Sequence, residues 1–199
     1  MPNYTTQSLV KTYLGIPSGT TSEAPAIDNA IAAAEAEIDQ ITGRTFVVPG
    51  GATAKTYVAY DDYTVYVDDI AKTDGLIVKE DTNLDGTYDT TLTITTDYLA
   101  TPFNEPPFTG LLNVSDEWPR YDSGRPAVQV TAAYGDQNSN GVPYAVQQAA
   151  LILAARLYQR KASPLGIMTG FQDYGIARIS RQDPDVAALL AQYRVLATA

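Results

Sequence analysis

The sequence predicts an α+β protein: a helical core of about four helices, an N-terminal pair plus a long C-terminal helix and a last helix, carrying an inserted antiparallel β domain. Three observations lead there. Apolar residues recur every three or four positions only toward the two ends of the 199-residue chain. Between residues 46 and 132 the period drops to two, in short β-branched and tyrosine-rich runs broken by Gly, Asp, Asn and Pro. A hydrophobic content of 45% over this length can bury the core of one domain with an insertion. The division that follows is 1–45 with 133–199 as the helical core and 46–132 as the β-rich insert.

The first helix is expected over 5–14, TTQSLVKTYL, with Leu9, Val10, Tyr13 and Leu14 on one face, Thr5 or Thr6 as N-cap and Gly15 as the stop. The linker IPSGTTSEAP supplies the Ser and Pro that begin a second helix of roughly 18 to 20 residues. Its face carries Ile27, Ile31, Ala34, Ile38 and Ile41, and it ends at Gly43. Because that face is alanine-rich, a neighbouring helix can pack at the short end of the usual range of roughly 8 to 10 Å.

Strands are expected in TYVAY, YTVYVDDI, GLIVKE, TTLTIT and VQVTAAYG. The proline-rich tract 101–126 reads as a long irregular connection with a turn of helix around Leu111, and Trp118, the single tryptophan, as a packing anchor. The strongest helix is VPYAVQQAALILAARLYQRK, opened by Pro143 and apolar at Val146, Ala149, Ala150, Leu153, Ala154 and Leu157. A glycine-rich stretch, SPLGIMTGFQDYGIARIS, leads to a last helix in PDVAALLAQYRVL, with Asp183 as N-cap and Pro184 at its first position.

Composition narrows function. The chain has no Cys and no His, which removes disulfides, thiolate zinc sites, cysteine nucleophiles and the commonest general base, so the reading is of a protein that is not an enzyme and carries no cofactor. Thirteen Lys and Arg stand against 23 Asp and Glu, and a net charge of -10 argues against binding nucleic acid by phosphate neutralisation. The N-terminus lacks the basic and apolar regions of an export signal, and no run reaches the ~18 apolar residues of a membrane span. A soluble protein with no membrane partner is expected.

One stretch resembles a metal loop. In DTNLDGTYDT, Asp81, Asn83 and Asp85 occupy the first ligand positions of a calcium loop, Gly86 the sharp turn, Thr87 the carbonyl position and Asp89 the place beside a water. The twelfth position, which should supply a bidentate Glu, is Leu92, and the flanks alternate like strands. A hairpin with solvated carboxylates explains the same letters, and weak calcium binding stays open beside it. The pairs Asp61 with Asp62 and Asp68 with Asp69 read as solvated turn residues, since neighbours on a strand point to opposite faces. GIMTGFQDYG follows a helix rather than a strand and lacks GK[ST], so it is no phosphate loop and reads as a mobile or partner-ordered segment. Arg156, Arg160 and Lys161 close the long helix while Arg178, Arg181 and Arg194 surround the last one. Either they complement helix ends and solvent, or they form a contact with an acidic partner. Fourteen tyrosines fit a wet interface or strand stabilisation alike.

The order of features resembles a family: the head-to-tail connector, or adaptor, proteins of long-tailed bacteriophages. The resemblance rests on TTQSLVKTYLGI, AAAEAEIDQITGRTF, RPAVQVTAAYG followed by VPYAVQQAALILAARLYQRK, and SPLGIMTGFQDYGIARISRQDPDVAALLAQYR, together roughly half of the chain. It implies a structural virion protein of the neck, made in the host cytoplasm. Such a protein forms a homo-oligomeric ring, typically of twelve copies, that docks on the portal protein and links it to the next tail-side neck protein. DNA would pass through the channel without sequence-specific binding. Carried onto this chain, the candidates for portal contact are Tyr174, Arg178, Arg181, Tyr193 and Arg194. The β insert is larger than in the compact helical members. Two rival readings are a tail-completion or stopper virion protein, against which the two long helices speak, and a calcium-dependent carbohydrate-binding domain.

Overall fold

The computed structural model of this protein describes residues 4–47, 51–136, 141–162 and 183–195. Its first element, α1 (Gln7–Leu14), starts where extended Thr6 accepts the Leu9 amide through its side chain, and stops at Gly15, whose φ of 69° suits a residue without Cβ. The inward face differs from the expected one: Val10 and Lys11 are buried, whereas Leu9 and Tyr13 are exposed. The physical reason lies in the following loop, which wraps over Lys11 so that its ammonium donates to the carbonyls of Thr20 at 2.8 Å and Ser18 at 3.4 Å. A cation with its donors satisfied is a tolerable buried group, and its aliphatic stem packs.

Helix α2 (Ala24–Thr42) has Pro25 in its first turn and ends at Gly43, φ 69°, which donates to the Asp39 carbonyl. It buries Ile27, Ala30, Ile31, Ala34 and Ile38. Its chief neighbour is α3 (Tyr144–Gln159), which buries Val146, Ala149, Ala150, Leu153, Ala154 and Ala155. Alanine on both faces lets the two helices approach closely, and that seam is the centre of the helical unit, 4–44 with 142–195 among the described residues. Glu23, just before α2, ties the far end of α3: its carboxylate accepts from the Tyr158 hydroxyl and the Lys161 ammonium, each at 2.9 Å. The last helix, α4 (Pro184–Leu190), is capped by Asp183, which accepts the Asp185 amide at 3.0 Å. It is shorter than the sequence predicts. A 3-10 turn at Ala191–Tyr193 ends it, and the chain returns to α2, where the Val195 amide donates to the Thr42 carbonyl.

The second unit, residues 45–141, is entirely β among its described elements. Its strands are β1 (Thr53–Tyr57), β2 (Thr64–Ile70), β3 (Ile77–Glu80), β4 (Thr90–Leu92), β5 (Tyr98–Thr101), β6 (Phe108–Asn113) and β7 (Val128–Ala132). They form two antiparallel sheets, ordered β1-β7-β3-β4 and β2-β6-β5. Val78, Val128 and Val130 from the first sheet and Val65, Val67, Ile70, Tyr98 and Leu111 from the second share one core. Trp118 joins them as the expected anchor, 3% exposed, with its indole N–H donating to the Tyr63 carbonyl at 2.9 Å.

One expectation is overturned. The tract 101–126 is not all irregular, and Leu111 lies in no helical turn: it is the fully buried centre of β6, opposite Val65 of β2 and Ala100 of β5. The prolines that suggested a connection cluster at 102–107, between two strands, and conceal the pair that they join. Among the described residues no helix is long and apolar enough to cross a membrane.

Candidate functional site

The loop of residues 81–89 closes the β3–β4 hairpin, whose register pairs Val78 with Leu92 and Glu80 with Thr90. Its carboxylates are engaged by the loop backbone and by nearby hydroxyls. Asp81 is buried and accepts the Asp85 amide at 3.0 Å, the Gly86 amide at 2.8 Å and the Tyr121 hydroxyl. Burial pushes this carboxyl upward, but the Tyr121 hydroxyl and the Gly86 and Asp85 amides outweigh it and hold the group below its ordinary value. Asn83 accepts the Asp85 amide and Asp85 the Thr87 amide, so the alternating oxygens brace consecutive turns. Asp89 reaches only the neighbouring Thr90 hydroxyl, at 3.5 Å. Among the described residues no group of three or more His, Cys, Asp or Glu is placed to hold a metal ion.

Asp61 and Asp62 lie in the bend before β2, as expected of turn residues, whereas Asp68 and Asp69 lie not in a turn but within β2, whose alternation sends neighbours to opposite faces. Asp61 accepts the Tyr63 and Thr64 amides, the first of which chiefly holds its carboxyl below the ordinary range, while Asp62 pairs with Arg120. Asp68 pairs with Lys55 at 2.7 Å.

Of the five residues expected to contact a portal, Tyr174, Arg178 and Arg181 lie outside the described residues. Tyr193 and Arg194 are placed together, in the turn after α4 where the chain returns to α2. Arg194 is exposed and lines a small hollow with Glu37, Ile41, Leu153, Asp183 and Val186. Arg156 sits 3.7 Å from Asp183, so the long helix is joined to the cap of α4. Lys161 belongs to the Glu23 cluster already described, which holds its ammonium above the ordinary value.

Burial sorts the tyrosines, which composition alone does not. Tyr4, Tyr98 and Tyr134 are core residues, and burial pushes the Tyr98 phenol up to about 12. Tyr60, Tyr63 and Tyr66 are instead exposed by 70%, 51% and 60%, all within one turn and the start of β2. Tyr60 meets Tyr66 edge to face with ring centroids 5.1 Å apart. Sequence reading had the strand and its alternation but not this cluster. The signal was available, for Tyr66 lies between the inward Val65 and Val67. Charge is also unevenly divided: residues 45–141 hold fifteen of the 23 acidic side chains and five of the 13 basic ones. The β unit therefore carries the whole net charge of -10, and the remainder of the chain balances, eight against eight.

No protein-family model and no curated protein matches the sequence. Solved structures do match the fold. A chain in the neck of an empty GTA particle, computed with C6 symmetry, aligns at 18% identity with a TM-score of 0.61, covering 96% of this chain and 90% of that one. A chain in the neck of a native GTA particle, computed with C12 symmetry, gives 18% identity and a TM-score of 0.52, covering 87% and 84%. One in the virion of a native gene transfer agent particle gives 20% and 0.55, covering 96% and 89%. At these identities the likeness is one of fold, and its coverage takes in the helical ends and the β insert together.

Proposed function

We propose that this protein is a structural, non-catalytic subunit of a virion neck. In this reading it is a head-to-tail adaptor that assembles into a ring, typically twelve-fold, docks on the portal protein and presents a surface to the next tail-side neck protein. The observation that carries the reading is the fold shared over 96% of this chain with a chain from a particle neck. The sequence resemblance described above points the same way. Tyr193 and Arg194, held together beyond α4, are the described part of the portal-contacting segment, and Tyr174, Arg178 and Arg181 belong to its remainder.

Duplex DNA has to traverse such a ring without being held, and an acidic wall repels phosphate rather than releasing its counterions. The β unit, with the entire net charge, is the part of this chain suited to that wall. The test is cryo-electron microscopy of the purified protein mixed with its portal. A stacked ring of matching symmetry, with the C-terminal segment entering the portal, is the expected result. Placement of this chain at the tail-proximal end of the neck, away from the portal, would make it a stopper or tail-completion protein. A monomer indifferent to the portal would overturn the neck reading altogether.

A further inference from the structure

The exposed aromatic cluster at the start of β2 is the least explained feature of the surface. Aromatic rings held in water are an unfavourable arrangement unless something covers them, and here Tyr60 and Tyr66 lie together with Tyr63 exposed in the same turn. They are also rigidly presented. The Tyr60 amide donates to the Thr64 carbonyl at 2.8 Å, and Asp61 gathers the Tyr63 and Thr64 amides. The Asp62 carbonyl accepts the Trp118 amide at 2.7 Å, and the Tyr63 carbonyl accepts both the Asn113 amide and the Trp118 indole. Opposite Tyr66, β6 carries the buried Gly110, whose missing Cβ leaves room for the Thr101 hydroxyl to pack against the strand beside the ring. Preorganised aromatics lose little side-chain entropy on contact, which is the property of interface anchors.

The surrounding charge selects the occupant. Asp61 and Asp68 are exposed beside the rings. Asp61 also accepts two backbone amides, Asp68 faces Lys55 and the half-buried Asp62 faces Arg120. The four aspartates Asp61, Asp62, Asp68 and Asp69 nevertheless outnumber these two cations, and the unit as a whole is strongly acidic. An anionic partner is repelled there, whereas a guanidinium can stack on a tyrosine face while pairing with a carboxylate. We propose that the Tyr60–Tyr66 pair, rimmed by Asp61 and Asp68, forms a docking surface for an arginine-bearing face of another protein. This goes beyond the adaptor reading and stands whether or not the chain forms a ring.

The test is calorimetric titration of the full-length protein with a short arginine–serine repeat peptide, alongside its lysine and glutamate counterparts. Binding in the order Arg, Lys, Glu is expected, weakening with salt. Tyr66→Ala and Tyr60→Ala are each expected to weaken it about tenfold, the loss of one anchor. Tyr66→Phe, which keeps the ring and the fold, is expected to retain it, as is Tyr13→Ala in the helical unit. The proposal is overturned if the arginine peptide is not bound, if the glutamate peptide binds as well, or if Tyr13→Ala costs as much as Tyr66→Ala.

Discussion

Asp81 shows how one residue reads as two things. Its spacing with Asn83 and Asp85 is that of a metal ligand, yet its oxygens are saturated by the Asp85 and Gly86 amides and the Tyr121 hydroxyl. The folded carboxyl lies below its ordinary value of 3.8, so the unfolded chain takes up the proton first. The stabilisation it gives is therefore complete above that value and lost as pH falls through the lower, folded one. Thermal melts across the acid range should show Asp81→Asn starting several degrees lower at neutral pH and losing less on acidification. Glu35 behaves oppositely. Burial, chiefly, and the nearby Asp39 raise its carboxyl above 4.5, while the Tyr4 amide at 2.7 Å partly offsets them. Its contribution is full below 4.5 and lost as pH rises through the folded value. Glu35→Gln, which keeps the acceptor and drops the charge, should raise the melting temperature at neutral pH and flatten the gain on acidification.

At the scale of elements, most of the fold was legible, but the face of α1, strands β5 and β6 and the length of α4 were not. Period, caps and stops placed α2 and α3 within a few residues, because Pro25, Gly43 and Pro143 act locally and the isoleucine and alanine stripes repeat over many turns. The face of α1 was misread at Leu9 and Tyr13, since the eight-residue helix is short and its inward face is decided by a loop closing over Lys11. Strand β6 was hidden because Gly110 and the prolines mimic a connection, while its pairing with β2 is made to residues about forty positions earlier. The tyrosine cluster shares that cause, being a product of turn and sheet rather than of spacing. Leu111, central to β6, makes the assignment testable: Leu111→Ala should destabilise the β unit by about 2–5 kcal/mol in urea unfolding. A residue in an irregular surface connection would cost far less.

The whole molecule is electrically two-sided along its sequence, with a neutral helical portion and a β portion bearing the full charge of -10. A protein that neutralises several phosphates shows a steep salt dependence of binding. This one should show no binding to random duplex DNA at physiological salt in a gel-shift assay, and a retarded complex would remove the physical basis for an acidic channel.

The position of Trp118 has a use of its own. It is the only indole in the chain, it is sealed in the β core, and every described α-helix lies in the other unit. Indole fluorescence therefore reports unfolding of the β unit alone, and far-ultraviolet ellipticity chiefly that of the helices. The unaltered protein thus contains two independent reporters. Coincident transitions would mean that the insert and the helical core melt as one cooperative body, and separated ones that each is a folding unit in its own right.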